Sequence, residues 1–86
     1  MPKYLLIHDD ASFFTEEKLK ELSKADLPEG IVWEKTYCNF ELNKNFCLWQ
    51  APSPEIIKQI FNKANLPIFD AIYQVEVFNP AKGKLE

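Results

Sequence analysis

The sequence predicts an α+β domain with elements in the order β-α-β-β-α-β, and three stretches carry that prediction. From Asn45 to Glu55, N-F-C-L-W-Q-A-P-S-P-E, a β-favouring apolar run stops at Pro52 and becomes a helix start, with Ser53 able to cap it and Pro54 suited to its first position. Lys3 to Ala25 holds an earlier strand and helix. Ala71 to Phe78 alternates Ile72, Gln74 and Glu76 against Tyr73, Val75 and Val77 as a final strand.

In chain order, Lys3 to His8 is the first strand, and its Tyr4-Leu5-Leu6-Ile7 is apolar on both parities, as in a central strand covered on both faces. Asp9 to Ser12 break it. Thr15 can cap a helix from Glu16 to about Ala25, whose Leu19, Leu22 and Ala25 form a narrow apolar stripe and whose Glu16 and Glu17 suit the positive helix end. Leu27-Pro28-Glu29-Gly30 turns the chain into a long second strand, Ile31 to Phe40; Glu41 to Lys44 is a hairpin loop, and Phe46 to Ala51 the third strand. The second helix carries a wider apolar face, Ile56, Ile57, Ile60, Phe61 and Ala64, before Asn65 closes it and Leu66-Pro67 prevents continuation. Asn79-Pro80 ends the last strand, so residues 1–80 make one domain and 81–86 a polar tail.

Right-handed crossovers place the first and third strands in the middle of a four-stranded antiparallel sheet with both helices on one face. Trp33 and Tyr37 come from one parity of the second strand, Cys38 and Phe40 from the other, so each side of the sheet receives large apolar residues whichever register the hairpin takes. A chain of 86 residues is too short to hide all of this alone. The expected cover for the open face is a second copy, giving a homodimer packed sheet to sheet.

Composition removes several partners. Net charge is only -3, all ten basic residues are lysines, and no lysine run is interleaved with aromatics, so a nucleic acid finds no platform. No apolar segment approaches the roughly 20 residues that cross a bilayer, and Met1-Pro2-Lys3 does not open a secretory signal, which makes the expected location cytoplasmic. Cys38 and Cys47 flank the hairpin and face each other in one register but not in another; two cysteines in such a chain read as reduced thiols. With two glycines and no G-x-G-x-x-G, P-loop, nucleophile elbow or H-E-x-x-H, the common enzyme signatures are missing.

Chemistry is confined to a few positions. His8, the single histidine, ends the first strand beside Asp9 and has the nitrogen chemistry of a metal ligand or acid-base group; the plainer alternative is a hydrogen-bonded strand-end histidine. Glu34 interrupts a half-apolar strand and would serve as a base or oxygen ligand if it faced a cavity, or as an edge residue paired with a lysine if it did not. Trp33, Tyr37, Trp49 and Tyr73 are candidates to line a cavity for an apolar or aromatic molecule, against the commoner use of such rings in packing.

Several of these segments resemble a family of small bacterial proteins catalogued as domain of unknown function 4242, which includes nickel-binding members. The resemblance lies in Met1 to Tyr4, His8-Asp9, Thr36-Tyr37, Phe46 to Pro52 with Glu55, Ala64 to Pro67, and Val75, while Asp10 to Gly30 is shorter than usual. It implies a ferredoxin-like fold that dimerises into an α/β barrel, and a divalent transition metal such as nickel held partly by a histidine at the position of His8. The further histidines such members place near the end of the second helix are replaced here, around Ile60, Phe61 and Asn65, by poor nickel ligands.

Three readings follow. The first is a dimeric, non-catalytic protein that binds a small ligand or a metal through His8, with Asp9 or Glu34 as oxygen partners. The second is a small barrel enzyme of the monooxygenase or isomerase kind, with a cavity of Trp33, Tyr37 and Tyr73. The third is a structural or interaction module whose aromatic sheet face binds itself or a partner.

Overall fold

A computed structural model describes all residues, 1–86. Its elements are β1 (Lys3–His8), α1 (Glu16–Leu22), β2 (Val32–Asn39), β3 (Lys44–Gln50), α2 (Pro54–Lys63), β4 (Ala71–Val75), β5 (Phe78–Asn79) and β6 (Lys84–Leu85). Strands β1 to β4 obey the predicted plan: one antiparallel sheet in the order β2-β3-β1-β4, with β1 and β3 central. This is the ferredoxin-like α+β arrangement.

Local chemistry explains where each element stops. Thr15 Oγ1 accepts from the Lys18 backbone N–H at 3.2 Å, capping α1. The helix ends at Leu22, short of the expected Ala25, because the Ser23 hydroxyl takes the Lys20 carbonyl at 2.7 Å and the next two residues tighten into three-residue turns. Ser53 occupies the N-cap of α2, but its hydroxyl makes no capping bond; Pro54 alone marks that start. At the other end Asn65 adopts φ +54°, Leu66 N–H donates to Phe61 C=O at 2.9 Å and Asn65 N–H to Asn62 C=O at 3.2 Å, the paired bonds of a Schellman stop.

The hairpin loop is Phe40 to Asn43, one residue earlier than expected, because Asn39 Oδ1 accepts from Leu42 N–H at 3.0 Å and Asn43 takes the left-handed conformation that returns the chain. Strand β4 ends at Val75 rather than Phe78. Val75 pairs with Lys3, the first residue of β1, and beyond it the sheet offers no partner. The expected polar tail instead folds back as a small hairpin, β5 pairing β6, with Gly83 at φ +65° in its turn.

A β-bulge decides which face each β2 residue uses. The register pairs Trp33 with Trp49 and then Lys35 with Leu48, so Glu34 is an extra residue and the parity of the strand flips there. Trp33, Thr36 and Cys38 consequently share the helix-covered face with Cys47 and Trp49, whereas Lys35 and Tyr37 fall on the other. This corrects the simple alternation that put Trp33 and Tyr37 on one side.

The core lies between the helices and the sheet and comprises Tyr4, Leu6, Cys47, Trp49 and Ala51 below, with Ile57, Phe61, Phe14 and Phe69 above them. The opposite sheet face is built from three cross-strand rows: Tyr37-Phe46-Ile7-Ala71, Lys35-Leu48-Leu5-Tyr73 and Val32-Gln50-Lys3-Val75. Neither helix covers these rows; Leu48 is buried among its neighbours, while Tyr37 and Tyr73 at the edges are more than half exposed.

Candidate functional site

The two helices roof the sheet incompletely. Helix α1 is seven residues long and buries none of them fully, since its apolar stripe is only Leu19 and Leu22 wide. A hollow of about 220 Å³ remains. His8, Trp33, Cys47 and Trp49 rise from the sheet to line it, Leu19 and Leu22 enter from α1, and Ile60 and Phe61 close it from α2.

His8 is the chemical centre of this hollow. Its ring is 1 % exposed, with Phe14 at 4.8 Å, Phe61 at 5.9 Å and Phe69 at 6.3 Å between centroids. Burial among apolar rings pushes its pKa below the ordinary histidine value, against the opposing pull of the Pro67 carbonyl and of Asp70. The ring is therefore neutral near pH 7. Its Nε2 lies 3.2 Å from the Pro67 carbonyl, which can only accept, so Nε2 carries the proton and Nδ1 presents a lone pair.

The remaining sulfur and nitrogen groups form a short chain. Trp33 Nε1–H donates to Thr36 Oγ1 at 2.7 Å, and the Thr36 hydroxyl donates to Cys47 Sγ at 3.2 Å. Burial pushes the Cys47 thiol up, which keeps it protonated and unreactive. Cys38 pairs with Asn45 and Cys47 with Thr36, so the two cysteines are offset across the hairpin; both are free thiols.

The candidates named from sequence are divided between places. His8, Trp33 and Trp49 line the hollow. Tyr37 and Tyr73, 57 % and 58 % exposed, lie on the open sheet face, and Glu34 sits in the bulge with its carboxylate 3.3 Å from Lys3 Nζ. The bulge is the reason: it turns Trp33 toward the helices and leaves Tyr37 behind. Asp9, next to His8, is exposed while His8 is buried, and its backbone N–H is held by Asp70 Oδ2 at 2.7 Å. Reasoning from sequence missed Cys47 as a wall residue of this hollow, although it shares its parity on the third strand with Trp49, which was named.

A nickel ion would need several imidazole, thiolate or carboxylate donors converging on one point. No group of three or more such side chains gathers anywhere in the chain, and the single imidazole already spends one nitrogen on Pro67. The residues of one chain do not fit the ion. No helix is long and apolar enough to cross a membrane.

A four-stranded antiparallel sheet, two helices on one face and a small apolar hollow beneath them define a ferredoxin-like α+β protein. The family model described as "Nickel responsive protein SCO4226-like" matches residues 4–75, and the chain belongs to that family. The crystal structure of SCO4226 from Streptomyces coelicolor A3(2) superposes with a TM-score of 0.70 at 22 % identity, covering 85 % of this chain and 94 % of that one. At that identity the likeness shows the fold. No curated protein matches significantly. The family match supports the nickel-related part of the resemblance read from the sequence, without extending to the 4242 designation.

Proposed function

We propose that the chain is a cytoplasmic, non-catalytic binding protein that forms a homodimer through its open sheet face and holds a small molecule in the hollow under its helices. The observation that carries this reading is the hollow itself, about 220 Å³ of space walled almost entirely by apolar side chains around a neutral histidine. Cavities of roughly 150 Å³ already admit a benzene-sized molecule, so this one suits a substituted ring. Its two titratable groups are poorly placed for catalysis, His8 being fixed to Pro67 and Cys47 held protonated by burial. The apolar rows of the open face, with Leu5, Ile7 and Phe46 flanked by Tyr37 and Tyr73, favour a second copy as their cover.

The family name favours a second reading, in which the ligand is a divalent metal such as nickel held by His8 with Asp9 or Glu34. Calorimetric titration of the purified protein with nickel decides between the two. The expected result is no heat beyond that of a His8→Ala variant, together with a dimeric mass by sedimentation. A stoichiometric nickel exotherm lost in that variant would transfer the function to the metal.

A further inference from the structure

The polar atoms in the wall of the hollow allow its ligand to be narrowed to a chemical class. Its polar side chains are those of His8, Ser23, Trp33, Cys47 and Trp49. Three have partners inside the fold: Ser23 Oγ donates to Lys20 C=O, Trp33 Nε1 donates to Thr36, and Cys47 Sγ accepts from Thr36. Two atoms do not. His8 Nδ1 and Trp49 Nε1 are buried without a hydrogen-bond partner, on side chains 1 % and 6 % exposed. Buried polar groups are nearly always paired in native proteins, and leaving one without a partner is costly.

We propose that the hollow binds a neutral, ring-containing molecule carrying a hydrogen-bond donor toward one end and an acceptor toward the other, the donor going to His8 Nδ1 and the acceptor to Trp49 Nε1. This rests on the small-molecule reading above. The polarity of the two ends follows from the side chains. The Nε2–H of His8 is committed to Pro67, which leaves Nδ1 as an acceptor that needs a donor, while an indole N–H only donates and needs an acceptor.

The separation follows from the sheet. His8 pairs with Asn45 and Tyr4 pairs with Trp49, so the two residues share a face on adjacent strands four positions apart, roughly 13 Å along the strands at the backbone. Their rings converge on the same aromatic neighbour, with Phe61 5.9 Å from His8 and 5.8 Å from Trp49. One atom cannot satisfy both nitrogens across such a span, so the proposed ligand carries a polar group at each end of a ring, among walls that include Cys47 and Phe61. Asn45 Nδ2 is also unpartnered, but Asn45 does not line the hollow. No lysine, aspartate or glutamate lines the wall, so an anion or a cation would be stripped of water with nothing to offset the loss. A phenol bearing a carbonyl on the opposite side of its ring has the required features.

The test is a titration of the isotopically labelled full-length protein, followed by the indole N–H signals of both tryptophans. The probes are para-hydroxyacetophenone, acetophenone, ethylbenzene and benzoate. Saturable binding in that order, para-hydroxyacetophenone first, with the Trp49 indole signal moving and the Trp33 signal, already bonded to Thr36, moving far less, is the expected result. A His8→Phe variant should weaken para-hydroxyacetophenone about tenfold, one hydrogen bond's worth, and leave acetophenone unchanged. If that variant does not fold, the Trp49 signal of the unaltered protein still decides. Ethylbenzene binding as tightly as para-hydroxyacetophenone, or benzoate binding more tightly, overturns the proposed anchors while leaving a small-molecule protein. Failure of every ring to bind saturably overturns the binding reading as well.

Discussion

Trp33 and Trp49 stack face to face across β2 and β3, ring centroids 6.1 Å apart and planes inclined by 13°. Only the bulge at Glu34 makes this possible, because without the extra residue Trp33 and Tyr37 would point the same way. Thr36 then fixes the Trp33 indole by its N–H. Trp33→Ala should therefore cost about 3 kcal/mol in urea unfolding, the low end for removing a large aromatic ring from a packed site. Glu34→Gln keeps the extra residue and loses only a partly exposed ion pair with Lys3, so it should cost no more than about 1 kcal/mol.

The buried His8 predicts an acid-sensitive fold. Because its pKa is lowered in the folded state, the unfolded chain binds the proton more readily. Its contribution is fully present above the unfolded value of about 6.5 and is lost as pH falls from there through the folded value, at no more than about 1.4 kcal/mol per pH unit. Asp70 opposes the loss, since its charge favours the imidazolium. His8→Gln keeps a donor for Pro67 and does not titrate, so its unfolding midpoint should show a flatter dependence between about pH 7.5 and 5.5 than the unaltered protein.

Much of this architecture could be read from particular residues. The Pro52-Ser53-Pro54 corner, the Ile56 to Ala64 stripe and the Leu66-Pro67 stop placed the second helix closely, because backbone chemistry at proline is local. The sheet order followed from connection handedness. What eluded the sequence was non-local: a bulge has no side-chain signature, so Glu34 read as an ordinary strand residue and Trp33 and Tyr37 were grouped together. The C-terminal hairpin was missed for a similar reason, Phe78 and Leu85 being too isolated to show alternation. His8 was singled out as the histidine, but its neutrality depends on Phe14, Phe61 and Phe69, which come from three separate parts of the chain.

Asn65 predicts a contrast between two single changes. Its φ of +54° is tolerated by asparagine but favoured by glycine, and its side chain makes no hydrogen bond within the chain. Asn65→Gly should leave thermal stability unchanged or slightly higher, whereas Asn65→Ala should lower it by about 1 kcal/mol, since a Cβ without local hydrogen bonding strains that conformation. The contrast between the two, read as a difference in unfolding midpoint, isolates the backbone effect at the end of α2.

The open sheet face gives the last prediction. Tyr37 and Tyr73 stand more than half exposed on β2 and β4, at the two edges of a surface whose centre is the half-buried Leu5, Ile7 and Phe46. Neither tyrosine belongs to the core under the helices, so lysine at both positions leaves that core intact. In a dimer packed through this face, however, four ammonium groups would be pressed into an apolar interface and would lose their hydration without gaining partners. Sedimentation equilibrium of the Tyr37→Lys/Tyr73→Lys protein should show a folded monomer beside a dimeric unaltered protein. A dimer that survives both lysines would place the contact between copies elsewhere, and the open face would then need a different cover.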